Sequence, residues 1–158
     1  MNDVPKSMIG AAGNLLVNAL MLRDGIPCRA DSEEYDLVVE LTRPSRNWKI
    51  LVTSNLRPKK AGGKGKMALD WWVPVDTGAD YIACVDLSTL RAWLFRRGEF
   101  VELAQQTAGG KHHLYMYTNK AVALRGKKKM KFDYEFESYR LENRIYRDIF
   151  ARQRKQAG

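Results

Sequence analysis

Apolar residues near the N-terminus recur at the spacing of an α-helix. They follow one another at intervals of four, three, four and three residues: Met8, Ala12, Leu15, Ala19 and Leu22. Pro5 and Ser7 are typical of a helix start, and Gly25 is typical of a helix end. The pattern therefore predicts a first helix that buries these five apolar side chains.

Further along the chain, short apolar and β-branched runs separated by turn residues predict strands. These runs occupy residues 26–30, 35–41, 48–54, 69–75, 81–85, 91–95 and 114–117. Residues 99–105 predict a short helix, and a C-terminal helix is predicted over 133–156, where Leu141, Ile145 and Ile149 are four residues apart. This order favours an α/β fold in which helices flank one mixed central β-sheet.

The length and composition suit one domain of ordinary size. The chain has 158 residues and 45% apolar side chains, so we expect a single domain over 1–158. A run of 18 apolar residues and a secretory leader are both missing, so we expect no membrane partner and a cytoplasmic location. Cys28 and Cys84 form no CxxC motif, which argues against a zinc site or a disulfide scaffold.

The positive charge is concentrated in two short segments without acidic residues. The net charge is +9; residues 55–66 carry +5, residues 120–131 carry +6, and the rest of the chain sums to −2. Lysines on glycine-rich backbone are flexible point charges that suit a polyanion, so we predict a nucleic-acid partner, with DNA as the expected form. The predicted binding residues are Arg57, Lys59, Lys60, Lys64, Lys66, Arg125, Lys127, Lys128, Lys129 and Lys131.

Aromatic residues stand close to both basic segments. Trp71 and Trp72 point to opposite faces of a regular strand, so we expect one in the core and the other half-buried or able to stack on a base. Tyr115 and Tyr117 share a strand face just before the second segment. His112-His113 is interpreted as loop surface, because no cysteine or acidic motif accompanies it.

Several of these segments together resemble the PD-(D/E)XK nuclease superfamily. The similarity is to small members such as archaeal Holliday-junction resolvases and intron-associated endonucleases, and it covers roughly residues 7–106. It lies in a helix with Gly10-Ala11-Ala12, a strand Tyr35-Asp36-Leu37-Val38-Val39, its return strand at 48–54, and a strand pair at 79–86 and 91–95. The resemblance implies a restriction-endonuclease-like core, α-β-β-β-α-β, followed by the C-terminal helix.

The resemblance also implies where catalytic groups belong. Members place a carboxylate on the first hairpin strand, an acid-x-lysine motif on the second and often a glutamate on the first helix. Asp36 matches the first position, but Leu51-Val52-Thr53 occupies the second and the helix position falls near Asn14. Two carboxylates normally hold the Mg²⁺ that activates water. We therefore expect a catalytically inactive, nucleic-acid-binding protein without a cofactor.

Two other functions stay open. One is an active endonuclease dependent on Mg²⁺ or Mn²⁺, with Asp36 as metal ligand and Glu40 and Lys49 as rearranged catalytic groups. The other is an adaptor whose basic segments bind an acidic protein. The length of the C-terminal helix, and the dimeric state of related resolvases, also suggest a homodimer formed through that helix.

Overall fold

The structure is a computed structural model that describes residues 3–31, 36–42, 45–61, 66–122 and 129–144. Over these residues the chain forms two β-sheets, one long helix and three short ones. The first sheet has the order β1-β2-β3-β6-β7, with β1 (Cys28–Ala30), β2 (Leu37–Thr42), β3 (Ser45–Asn55), β6 (Tyr81–Asp86) and β7 (Arg91–Arg96). The second has the order β4-β5-β9-β8, with β4 (Lys59–Ala61), β5 (Lys66–Pro74), β8 (Gln106–Ala108) and β9 (Lys111–Tyr117). The helices are α1 (Lys6–Arg23), α2 (Arg97–Leu103), a 3₁₀ helix (Asp133–Tyr139) and α3 (Leu141–Arg144).

The first sheet is mixed because β3 and β6 run parallel, whereas its other neighbouring strands are antiparallel. Parallel neighbours need a long crossover, and here the crossover contains β4 and β5. The predicted α/β class with a mixed central sheet is confirmed. The second sheet was not predicted, because β5 pairs with β9, with Trp71 opposite Leu114, and no local pattern encodes a pairing over that separation.

The buried face of α1 differs from the predicted one. Gly13, Val17 and Met21 are buried, whereas Met8, Leu15 and Leu22 are 60%, 70% and 53% exposed. Residues 8–22 contain no charged side chain, so apolar spacing alone could not select a face. The helix packs through Gly13 because the missing side chain permits a close approach to Ser54 on β3.

The continuous C-terminal helix predicted from residue 133 is wrong over its first part. Asp133–Tyr139 is a 3₁₀ helix with a kink at Phe136. Arg140 is extended, with φ −53° and ψ 135°, and forms an isolated antiparallel bridge to Trp93. Among the described residues 133–144, α3 alone is α-helical, and Leu141 is buried there. Ile145 and Ile149 lie outside the described residues.

The molecule has three layers. One apolar cluster fills the space between α1 and one face of the first sheet, with Val17, Met21 and Ile50 among its members. A second cluster lies between the two sheets, where the Trp71 and Trp93 rings are 5.6 Å apart. Asn55 joins the sheets, because its side-chain amide donates to the Asp70 carbonyl at 2.7 Å and accepts from the Asp70 N–H at 2.9 Å. Among the described residues no helix is long and apolar enough to cross a membrane.

Candidate nucleic-acid interface and catalytic positions

Asp36 lies where α1, β2 and β3 meet. Its Oδ2 accepts a hydrogen bond from the Val52 N–H at 2.7 Å, and its Oδ1 lies 3.4 Å from Nδ2 of Asn14 on α1. The structure thus brings together Asp36 and Asn14, the positions that the resemblance assigned to the strand carboxylate and the helix glutamate. The pairing of β2 with β3 ends at Leu37 and Ile50. The Val52 N–H lies beyond this last pair and has no backbone acceptor on β2, so the Asp36 carboxylate provides its hydrogen-bond acceptor.

The residues of β3 that face Asp36 are shifted by one from the predicted motif. Val52 packs against the cluster beneath α1, whereas Leu51 packs into the cluster between the sheets. Alternation along the strand then places Ser54 with Val52, and Thr53 with Leu51. The α1 face of β3 therefore carries Val52 and Ser54, and neither is a carboxylate or a lysine.

The structure does not bring Glu40 and Lys49 to Asp36. Glu40 lies four residues along the extended strand, roughly 13 Å away, and its Oε1 accepts from Nε of Arg29 at 2.6 Å. Lys49 is three residues before Val52 and so lies on the other face of β3. Its backbone N–H donates to Oδ2 of Asp80 at 2.9 Å. The rearranged catalytic trio thus has no common location.

The residues at this position do not fit a catalytic Mg²⁺ ion. Mg²⁺ nuclease chemistry uses carboxylate ligands and bound water. Asp36 is the single carboxylate among Asn14, Asp36, Val52 and Ser54, and both of its oxygens already face N–H groups. Across the described part of the chain, no three histidine, cysteine, aspartate or glutamate side chains come together in a way that could hold a metal ion.

A cleft of about 660 Å³ opens beside these positions. The start of α1, the end of β3 and residues 56–59 line it. Among the described residues that line it, the cationic ones are Lys6, Arg57 and Lys59, and Asp3 carries the one carboxylate. The cleft is therefore basic, and it includes two of the cations predicted to bind nucleic acid.

The outer face of the second sheet carries a row of rings. Trp71 is 1% exposed and Trp72 is 40% exposed, so the two point to opposite faces as predicted. The Trp72 and His113 rings are stacked, with centroids 3.8 Å apart and planes 6° apart. The row continues to Tyr115 at 5.5 Å and from there to Tyr117 at 5.4 Å. We call Trp72, His113, Tyr115 and Tyr117 the aromatic face.

His113 is an integral part of this face. His112 and His113 lie in β9 rather than in the predicted loop; their strand pairing with β5 is again a long-range contact. Burial lowers the pKa of His113 below its ordinary value of 6.5, and the carboxylate of Asp70, 3.4 Å from Nε2, only partly offsets this. His113 is therefore neutral near pH 7, and the Asp70 carboxylate beside it brings negative charge to the face.

Described lysines of both basic segments converge at the Tyr117 end of the aromatic face. Nζ of Lys66 lies 5.7 Å from the Tyr117 ring centre. The Tyr117 N–H donates to the Lys131 carbonyl at 2.7 Å. Burial raises the pKa of Tyr117, and the charge of Lys131 acts in the opposite direction. Lys59 lies opposite Ala68, which is opposite Tyr117, so all three share one sheet face.

The other predicted binding residues have varied positions. Lys60 is exposed on β4, whereas Nζ of Lys129 donates to the Ala104 carbonyl at 2.6 Å and so lies against the chain. Lys64, Arg125, Lys127 and Lys128 lie outside the described residues. Lys120, at the edge of the second basic segment, was not among the predicted binding residues. Its Nζ lies 5.5 Å from the Tyr134 ring centre.

This architecture is similar to that of a solved nuclease structure. A solved structure of the bacterial homing endonuclease I-Ssp6803I superimposes on 97% of this chain and 99% of that chain, with a TM-score of 0.58 and 16% sequence identity. The chain has a nuclease-like fold. No protein-family model and no curated protein matches the sequence.

Proposed function

We propose that this protein binds nucleic acid, in the first place DNA, through the aromatic face and the lysines beside it. The observation that carries the proposal is the convergence of two acid-free basic segments on Tyr117, through Lys66 and Lys131. The likeness of the fold to that of a homing endonuclease supports the same class of partner.

The chemistry of the face suits a polyanion that also has flat, apolar groups. Lysine side chains at the Tyr117 end can neutralise phosphates and release their counterions. Trp72, exposed and held flat against His113, offers a ring on which a base can stack. An acidic protein would use the lysines but would leave the rings without a specific role, so the aromatic face favours nucleic acid over the adaptor function.

We further propose that the protein is a member of the PD-(D/E)XK superfamily that binds without cleaving. Support comes from the position of Asp36 next to Asn14, which matches that superfamily's arrangement, and from the lack of a second carboxylate or lysine on the same face of β3. The Asp36 carboxylate there holds β3 and α1 together. No cofactor is required for such a function.

The test measures binding of a labelled DNA duplex and a labelled single strand over a series of salt concentrations. Lys66→Ala/Lys131→Ala is compared with Arg23→Ala/Arg29→Ala, which removes the same charge from exposed residues on α1 and β1. The first pair should weaken binding and reduce the salt slope on duplex DNA by about 1.8. The control pair should leave the slope near that of the unmodified protein.

Two results would overturn the proposal. Equal effects of the two pairs, or no binding by the unmodified chain, would remove the assignment of the face and direct attention to an acidic protein partner. Incubation of supercoiled plasmid with Mg²⁺ or Mn²⁺ is expected to give no cleavage. Cleavage that Asp36→Ala abolishes would show that the site is catalytic after all.

A further inference from the structure

The series of rings on the aromatic face continues beyond Tyr117 onto the start of the 3₁₀ helix. Phe132 forms an isolated parallel bridge to Tyr117, and the centres of their rings are 5.9 Å apart. The Tyr134 ring follows, with its centre 5.4 Å from that of Phe132. Six rings therefore form one continuous series, which we call the ring track: Trp72, His113, Tyr115, Tyr117, Phe132 and Tyr134.

The two ends of the ring track are its most exposed parts, and an inner ring supports each of them. Trp72 is 40% exposed and lies parallel to His113. Tyr134 is 50% exposed, and its plane is 18° from that of Phe132, which is 7% exposed. Each end ring thus has one π-face against a neighbour and is held in a defined orientation. Little conformational freedom is lost when a flat ligand stacks on the opposite face.

Lysines lie along the track and not only at one end. Lys111 is exposed and precedes His113 by two residues on β9, so it shares that face of the strand at the start of the track. Lys66 and Lys120 lie farther along, with Nζ 5.7 Å and 5.5 Å from the centres of the fourth and the sixth ring. A chain of phosphates that follows the rings would therefore meet a cation at the beginning, in the middle and at the end.

The carboxylates near the track do not cancel this charge. Oδ2 of Asp133 is 3.1 Å from Nη1 of Arg91, and Glu135 accepts from two backbone N–H groups just before the 3₁₀ helix at 2.8 Å and 3.0 Å. Asp70 brings one negative charge beside the second ring. Because Lys131 also lies beside the track, positive charge exceeds negative charge along it.

We propose that the ring track binds the unpaired bases of a single-stranded nucleic acid, with bases stacked on Trp72 and Tyr134 and phosphates beside the lysines. This inference rests on the proposed function and names the form of nucleic acid that the face takes. In a duplex, neighbouring base pairs cover the π-faces, and a protein in the grooves contacts base edges. A single strand can turn its bases outward onto aromatic side chains.

Charge alone would favour the opposite form. Duplex DNA carries about one charge per 1.7 Å of its axis, and a single strand carries about one per 3.4 Å. A protein that used only its lysines would therefore bind the duplex more tightly. A preference for the single strand requires the rings, and the stacking of one base changes the affinity on the order of tenfold.

The test compares three labelled probes of about 12 nucleotides, a length within the range of single-strand sites. They are an oligothymidylate, a duplex of mixed sequence, and an abasic strand that keeps the sugar–phosphate chain without bases. The full-length protein should bind the oligothymidylate more tightly than the duplex, and at least about tenfold more tightly than the abasic strand. Binding to the abasic strand measures what the lysines contribute by themselves.

The two end rings offer a matched control at the same positions. Trp72→Leu/Tyr134→Leu keeps apolar side chains but removes the π-faces, whereas Trp72→Phe/Tyr134→Phe keeps a ring at each position. The leucine pair should weaken binding of the oligothymidylate at least about tenfold and leave binding of the abasic strand unchanged. The phenylalanine pair should retain most of the affinity. Circular dichroism checks that both variants are folded.

Tryptophan fluorescence gives a second measurement of stacking. Of the four tryptophans, Trp72 is exposed, Trp48 is half-buried, and Trp71 and Trp93 are buried. A base stacked on Trp72 should quench its emission. The oligothymidylate should therefore quench the unmodified chain much more than Trp72→Phe/Tyr134→Phe, although both bind it.

Three results would overturn this inference and leave the proposed function in place, provided that Lys66→Ala/Lys131→Ala still weakens binding of the duplex. They are equal affinity for the oligothymidylate and the abasic strand, tighter binding of the duplex than of the oligothymidylate, and equal losses in the leucine and phenylalanine pairs. Absence of binding to every probe would instead remove the proposed function itself, and this inference with it.

Discussion

Replacement of Gly13 by alanine tests the contact that holds α1 against β3. An added Cβ would lie 1.7 Å from Oγ of Ser54, 2.9 Å from its Cβ and 3.6 Å from Cγ1 of Val52. Rotation of the Ser54 side chain can move the hydroxyl away. The Ser54 Cβ is fixed by the strand, so the helix itself must move by several tenths of an ångström.

Two opposing effects set the size of the change. Overpacking of this kind costs about 1–3 kcal/mol, whereas alanine is favoured over glycine inside a helix by about 1 kcal/mol. We therefore expect Gly13→Ala to lower the free energy of unfolding by up to about 2 kcal/mol. Gly10 lies in the same helix, and an added Cβ there meets no atom of the described residues within 4 Å. Gly10→Ala should raise the free energy of unfolding by up to about 1 kcal/mol.

Urea unfolding measures the difference in unfolding free energy between the two variants. The helix-propensity gain is common to both positions, so this difference should equal the overpacking cost of about 1–3 kcal/mol, with Gly13→Ala the less stable variant. Ser54→Gly removes the atoms that clash, so it should destabilise the Gly13→Ala background less than the unmodified background. If Gly13→Ala stabilised the protein as much as Gly10→Ala does, α1 would not lie this close to β3. The placement of Asn14 beside Asp36 would then fail with it.

Three further predictions concern single side chains. Asp36→Ala should lower the free energy of unfolding by about 1–2 kcal/mol, because the Val52 N–H loses its acceptor, and should leave binding of the labelled DNA unchanged. His113 should titrate below 6.5 by NMR; since the unfolded chain then protonates first, the free energy of unfolding should fall as pH drops below 6.5. Burial raises the pKa of Cys28 from 9.0 to about 11, and that of Cys84 well above 9.0. Both thiols should resist iodoacetamide at neutral pH until urea is added, and the free energy of unfolding should fall between pH 9 and about 11, because the unfolded chain loses those protons first. Rapid alkylation of the folded protein would contradict their burial.

Sequence reasoning succeeded where the signal was local. The alternation at Trp71 and Trp72 correctly separated a core ring from a surface ring, since only the period of a strand was needed. The family resemblance, which assigned Asp36 to the strand carboxylate and Asn14 to the helix position, also agrees with the contact between these two side chains.

Sequence reasoning failed where the buried face of a helix or strand depends on which other element packs against it. Between residues 8 and 22, α1 carries apolar side chains on all of its faces. The close approach of Gly13 to Ser54 therefore decides which face is buried. The predicted motif placed Leu51 on the face of β3 that meets Asp36, whereas Val52 occupies that face. The packing of α1 on one side and of the second sheet on the other decides which residues of β3 face the helix. The aromatic face joins residues of β5 and β9, and no local pattern could have assembled it.

The crossover between β3 and β6 contains strands whose sheet partners are synthesised much later. In most parallel pairs a helix makes that connection, but here β4 and β5 make it. Their partners β8 and β9 come only after β7. A nascent chain that has reached residue 96 holds every strand of the first sheet, yet its β5 still lacks β9. The aromatic face, which lies on β5 and β9, is thus complete only when β9 has been synthesised, after every strand of the first sheet.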